Sequence, residues 1–247
     1  MPKIAFSFSD DKSDKFWWID YDEGLDFAVN FGKAGTNGRY QVKEFDSEED
    51  CRKEAEKLIA QKKKKGYIQN PAFDFDNHFY FDDEEVGLHP RTSHPNFRKH
   101  FVSDIYFDCG DEESPFGSDE GSDTLADMQE LVRKKGWFDF SLYPQSLIEN
   151  VWDMKYIQPT EMGEDAVKKL LDQDEMNLIQ SDMVTYASAF GQIKITGYVN
   201  KELKEKALLA IKRINVIAKL QGWREEDGTS DVKSIILKGL SSFDKYK

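Results

Sequence analysis

Between Lys15 and Asp46 the apolar positions fall in three short runs separated by turn residues: Phe16–Tyr21, Leu25–Phe31 and Tyr40–Phe45. Their content of Trp, Phe, Tyr, Val and Ile predicts three strands. Asp22-Glu23-Gly24 is short enough to close a hairpin, and the Gly32–Arg39 stretch, with glycines at 32, 35 and 38, predicts a longer turn into the third strand. An antiparallel meander follows. The period then changes, because Cys51, Ala55, Leu58 and Ile59 form an apolar stripe at helical spacing. Asp46 or Ser47 is placed to accept the free amide hydrogens of the first turn, and Glu48, Glu49 and Asp50 suit its positive dipole end. Lys62 to Lys65 suit the opposite end, and Gly66 stops the helix at about Lys65.

Residues 68–124 are irregular, with Pro steps, acidic clusters and aromatics at Phe73, Phe75 and His78–Phe81, and a short strand is expected at Asp104–Phe107. Beyond them helices are expected from Asp123 to Lys134, from Met162 into the 180s, and from Asn200 or Lys201 to Leu220. Ile193–Val199 reads as a strand, and a last helix through Ile235, Ile236 and Leu240 is capped by Thr229 or Ser230. The fold class is therefore α+β: an N-terminal antiparallel sheet with one packed helix over residues 1–70, then a mostly helical second domain, 71–247, with a small β component.

Composition adds that a core is affordable, with 39% hydrophobic and 13% aromatic residues in 247. The net charge of −13 sits almost wholly after residue 70, since residues 1–70 carry 13 Lys and Arg against 14 Asp and Glu. Such a field disfavours nonspecific polyanion binding by the chain as a whole, though a local basic site escapes it. Two cysteines, Cys51 and Cys109, are too few for a disulfide framework and fit a reducing, cytoplasmic compartment. No apolar run approaches membrane-span length, so no membrane association is expected.

The stretch Phe31-Gly32-Lys33-Ala34-Gly35-Thr36-Asn37-Gly38-Arg39 resembles the signature of WGR domains, in which an aromatic, a Gly and a basic residue precede a Gly-x-x-Gly turn. Phe31 stands at the signature Trp and Lys33 at the signature Arg. The strand pair before it and the charged helix after it match as well, over roughly residues 5–70. The later Ser114–Leu125 and His94–Lys99 stretches make the whole chain similar to bacterial WGR-containing proteins of the YfeS type. In DNA-dependent ADP-ribosyltransferases that carry this domain, the signature aromatic and basic residues help grip a DNA end. The resemblance thus implies a recognition module that binds nucleic acid or a protein partner, with Phe31, Lys33 and Arg39 as contact residues; the Lys62–Lys65 run, Lys62 and Lys63 first, is read as an extension of that surface, with the helix dipole as the alternative account of its charge. Recognition of a protein alone is the alternative.

No catalytic or cofactor motif is found: no P-loop, serine-nucleophile elbow, zinc-protease helix or dinucleotide fingerprint. Asp111, Glu112, Glu113, Asp119, Glu120 and Asp123 are hard oxygen donors, but their spacing does not match a calcium loop, and Asp119 or Ser122 is explained as a helix cap. The four histidines read as turn or packing residues, and Trp137, Phe138, Phe140, Tyr143 and Trp152 as core. Neither metal nor cofactor is expected. An enzyme in the second domain would require some of His94, His100, Asp119 and Asp123 to converge in a pocket.

Overall fold

In the computed structural model, which describes residues 3–22, 24–223 and 231–247, the three aromatic runs form adjacent strands at one side of a five-stranded antiparallel sheet. Its strands are β1 (Lys3–Asp10), β2 (Ser13–Asp20), β3 (Asp26–Lys33), β4 (Arg39–Glu44) and β5 (Ile68–Gln69), in the order β4-β3-β2-β1-β5. Trp17 lies opposite Phe6 on β1 and Phe31 on β3, while its neighbour Trp18 lies opposite Ala5 and Asn30. Pleating sends the two tryptophans to opposite faces.

One face is covered by α1 (Glu48–Lys64), whose Cys51, Ala55 and Ile59 pack on Phe6, Trp17, Ile19, Phe27 and Val29. Burying each large apolar side chain here contributes about 1.5–3 kcal/mol. Ser47 is the cap, accepting from the Asp50 amide at 3.1 Å. On the other face Trp18 meets the rings of Tyr40, Phe75 and Tyr80 at 5.6, 5.7 and 5.9 Å. Both faces are therefore closed over β2, and this explains why Phe16–Asp20 is buried without interruption.

The chain divides into two compact units, Met1–Pro95 and Asn96–Lys247, so the irregular segment after residue 70 packs with the sheet up to Pro95. Arg91 fixes its end: the guanidinium meets Asp22 at 2.6 Å and Asp20 at 3.5 Å, and its Nε donates to Asp26. His89 joins Asp26 at 3.2 Å. Burial raises the Asp26 carboxyl, but hydrogen bonds from His89 and Arg91 outweigh it and hold the group down at about 2.

The second unit is helical: α2 begins at the junction (Pro95–His100), followed by α3 (Asp119–Lys135), α4 (Tyr143–Ser146), α5 (Glu164–Thr196), α6 (Lys201–Leu220) and α7 (Asp231–Ser242). From Val184 to Thr196, α5 is buried on every side. Its hydroxyl groups are satisfied internally, Ser181, Thr185, Ser188 and Thr196 each donating to the carbonyl four residues back. Asp182 receives a forked pair from Arg213 of α6, and Arg213 also donates to the carbonyls of Ile157 and Gln158. Burial still raises the Asp182 carboxyl, to about 7, against the pull of Arg213.

Three local expectations are corrected. Ile193–Thr196 is the end of α5 rather than a strand, because a helix buried all round has no polar face to reveal its period. Gly197, in the left-handed region at φ 78°, ends it. The β structure among the described residues of this unit is a single parallel bridge, Val199 to Tyr246. Asp104–Phe107 is a 3-10 turn, not a strand, with the Tyr106 hydroxyl donating to Ile235. Helix α3 starts at Asp119, and its cap is Ser118, which accepts from the Gly121 amide at 3.1 Å; Asp119, Glu120 and Asp123 lie inside the helix. The proposed caps Thr229 and Ser230 lie outside the described residues.

Candidate functional site

The glycine-rich stretch is a turn at one end of the sheet, joining β3 to β4. Thr36 closes it by donating from both its amide and its hydroxyl to the Lys33 carbonyl, and the Ala34 amide donates to Asp14. Gly38 has a φ of 68°, and a Cβ there would lie 2.6 Å from the Phe16 ring and 2.9 Å from the Asn30 amide. Asn30, fully buried, donates its Nδ2 to the Asn37 carbonyl and accepts at Oδ1 from His78 Nε2 at 3.0 Å. That arrangement puts the histidine proton on Nε2. Burial, aided by Lys3 and His94, lowers His78 to about 4, so it is neutral at pH 7.

At the same end, helix α1 finishes in a Schellman motif: Gly66 donates to the Lys63 carbonyl and Tyr67 to the Lys62 carbonyl. The motif folds Tyr67 back against the helix. As a result the Lys62 ammonium sits 5.0 Å from the Tyr67 ring, 5.2 Å from Trp17 and 6.0 Å from Phe31. These contacts lie in the favourable cation–π range. Half burial, then the charges of Lys65 and Lys15, lower the Lys62 ammonium below its ordinary value.

Lys33 lies directly across the ladder from Lys15, both exposed and both on the α1 side of the pleat with Trp17 and Phe31. Like charges placed opposite each other are destabilising. None of Lys15, Lys33, Lys62 or Lys65 makes an ion pair among the described residues. Phe31 is 38% exposed beside them. The arrangement is an open aromatic edge bordered by four uncompensated ammonium groups.

The contact residues expected from sequence distribute unequally. Phe31, Lys33 and Lys62 gather at this end, and Arg39, directly opposite Phe31, holds an exposed pair with Glu84 at 3.1 Å. Lys63 is exposed on the last turn of α1 and makes none of the ring contacts that hold Lys62. Lys15 was not anticipated, and Lys65 only as part of the Lys62–Lys65 run. Their signals were weak: a lysine two places before Trp17, and a charge run already explained by the helix dipole.

Elsewhere, His94 bonds the Asp76 carbonyl and His100 the Gly239 carbonyl. Among the described residues no group of three or more His, Cys, Asp and Glu is placed to hold a metal ion, and no helix is long and apolar enough to cross a membrane.

Comparison with known proteins places the chain in a family. The WGR domain model matches residues 3–74. A crystal structure of a Bacteroides fragilis protein shares 29% identity, covering 53% of this chain and 40% of that one, with a TM-score of 0.28. Protein YehF of Escherichia coli K12 is 39% identical over 64 residues, 26% of this chain and 23% of YehF. The Uncharacterized protein YfeS of Escherichia coli K12 is 50% identical over 234 residues, 95% of this chain and 96% of that protein. With half its residues identical along almost the full length of both chains, this protein belongs to the YfeS family of WGR-domain proteins.

Proposed function

We propose that the N-terminal unit binds nucleic acid at the basic end of its sheet, and that the chain is a recognition protein rather than an enzyme. The observation that carries this is the cross-strand pair Lys15 and Lys33, two like charges held opposite each other beside Lys62 and Lys65 with no acidic partner among the described residues. A polyanion converts that repulsion into attraction. The association of WGR domains with nucleic acid supports the same choice of ligand.

In this reading Lys15, Lys33, Lys62 and Lys65 meet phosphates, and Phe31 offers its exposed edge to a sugar or base. Arg39 and Lys63 extend the surface, since an exposed pair such as Arg39–Glu84 is worth little and yields readily to a phosphate.

Fluorescence anisotropy of the full chain with short labelled duplex DNA tests the proposal. Four phosphate contacts give a salt slope of about −3.6, and Lys33→Ala reduces it by about one. Absence of binding at low salt overturns the reading. Salt-tolerant co-purification with a protein, without retention on DNA, moves the assignment to protein recognition.

A further inference from the structure

The glycine turn has a second side. On the sheet face away from α1 it forms one wall of a cavity of about 430 Å³, bordered by Phe16, Asn37, Phe73, Asp74, Asn77 and His78. That volume lies within the roughly 300–1,000 Å³ of small-molecule sites. Three of its rings form a cluster, Phe73 lying 5.7 Å from Phe16 and 5.3 Å from His78.

The lining excludes one class of ligand. No Lys or Arg borders the cavity, His78 is neutral, and the Asp74 carboxylate stands at its edge, accepting from the amides of Asp76 and Asn77 at 3.1 Å and from Asn77 Nδ2 at 2.7 Å. A phosphate is repelled here. A neutral, flat ligand with hydrogen-bonding edges is favoured: the rings offer stacking surface, and the Asn37 side-chain amide has no hydrogen-bond partner among the described residues. The wall made by Ala34–Asn37 follows directly on Lys33 in the chain, so one turn separates a face that attracts phosphate from a cavity that rejects it.

We infer that this cavity receives an unpaired nucleobase from the strand whose phosphates meet the lysines, an inference that rests on the nucleic-acid reading above. A base within a duplex has its edges paired and its faces stacked, so only an overhang, a frayed end or a single strand supplies one. The preferred ligand is therefore a nucleic acid with an unpaired segment.

The full chain is titrated with three probes: a blunt duplex, the same duplex with a short single-stranded overhang, and that overhang made abasic. Stacking of one base predicts that the overhang binds about tenfold tighter than the blunt duplex, and that the abasic probe returns to the blunt value. Asn37→Ala, which keeps the backbone carbonyl bonded to Asn30, and Phe73→Ala each abolish the overhang advantage and leave blunt binding unchanged. Retained blunt binding also certifies the fold of each variant, and Asn37→Ala decides the matter should Phe73→Ala lose it. Equal affinity for all three probes, or an overhang advantage that survives Asn37→Ala and Phe73→Ala, overturns the cavity while leaving the lysine site standing. Failure of every probe to bind overturns both.

Discussion

The two ends of the N-terminal sheet treat positive charge in opposite ways. At the β2–β3 hairpin end, one guanidinium, Arg91, is enclosed by three carboxylates, Asp20, Asp22 and Asp26, and its side chain is almost fully buried. At the other end, four ammonium groups on Lys15, Lys33, Lys62 and Lys65 have no acidic partner among the described residues. Both ends belong to the same strands, so strand propensity does not explain the contrast. The first arrangement holds structure together, tying residues 89–91 to the hairpin. The second weakens the isolated fold, and a ligand of opposite charge gives it a use.

Breaking the paired end has the largest expected effect. Arg91→Ala removes the guanidinium from the buried Asp20 carboxylate, and removing one partner of a buried pair costs about 3–5 kcal/mol. Urea denaturation of the full chain, followed by hydrogen exchange at the β2 and β3 amides, measures this; a loss below 1 kcal/mol in those amides contradicts the assigned role. Breaking the open end comes next. Gly38→Ala forces a Cβ into the Phe16 ring and the Asn30 amide at a positive φ, at a cost of about 1–3 kcal/mol. Amides of Lys33–Tyr40 should lose protection first, and nucleic-acid affinity should fall with them while the Arg91 end keeps its protection.

The ends also separate by pH. Because the Asp26 carboxyl is held at about 2 in the fold against an ordinary 3.8, its stabilisation is complete above about 4 and is lost as pH falls through about 2. His78 works in a higher window. Its folded value of about 4 lies below the ordinary 6.5, so the unfolded chain takes up a proton first and stability declines as pH falls from 6.5 toward 4. Asp26→Asn should therefore flatten the acid limb below pH 4 while His78→Gln flattens the limb above it. Thermal melts across both windows read the two effects, and identical profiles for the variants contradict the assignment.

Much of this was legible from residue order, for physical reasons that also mark the limits. Trp17 and Trp18 announced a strand because β-rich aromatics clustered between turn residues, and the Phe31–Arg39 motif located the turn. Strand β5 escaped notice because two residues, Ile68 and Gln69, carry no period. The end of α5 was misread because Ile193 and Ile195 alternate within a fully buried helix. Lys15 was hidden for another reason: its opposition to Lys33 exists only once the register of β2 and β3 is known. The cavity was beyond reach altogether, since Phe16 meets Phe73 and His78 across a long separation in sequence, from a segment without regular structure.

The smallest predicted effect is the most discriminating. Replacing Lys15 by Glu turns a like-charged cross-strand pair with Lys33 into an opposite-charged one, and such pairs contribute roughly 0.2–1 kcal/mol. The same change removes one of the charges that depress the Lys62 ammonium. If the lysine cluster is tolerated for the sake of a ligand, Lys15→Glu raises the melting temperature of the free protein and weakens its binding to short duplex DNA. A structural role for Lys15 predicts the reverse, a lower melting temperature with binding unchanged. Stability and affinity moving in opposite directions in one variant would show that this end of the sheet is shaped by what it binds, as the Arg91 end is shaped by what it holds together.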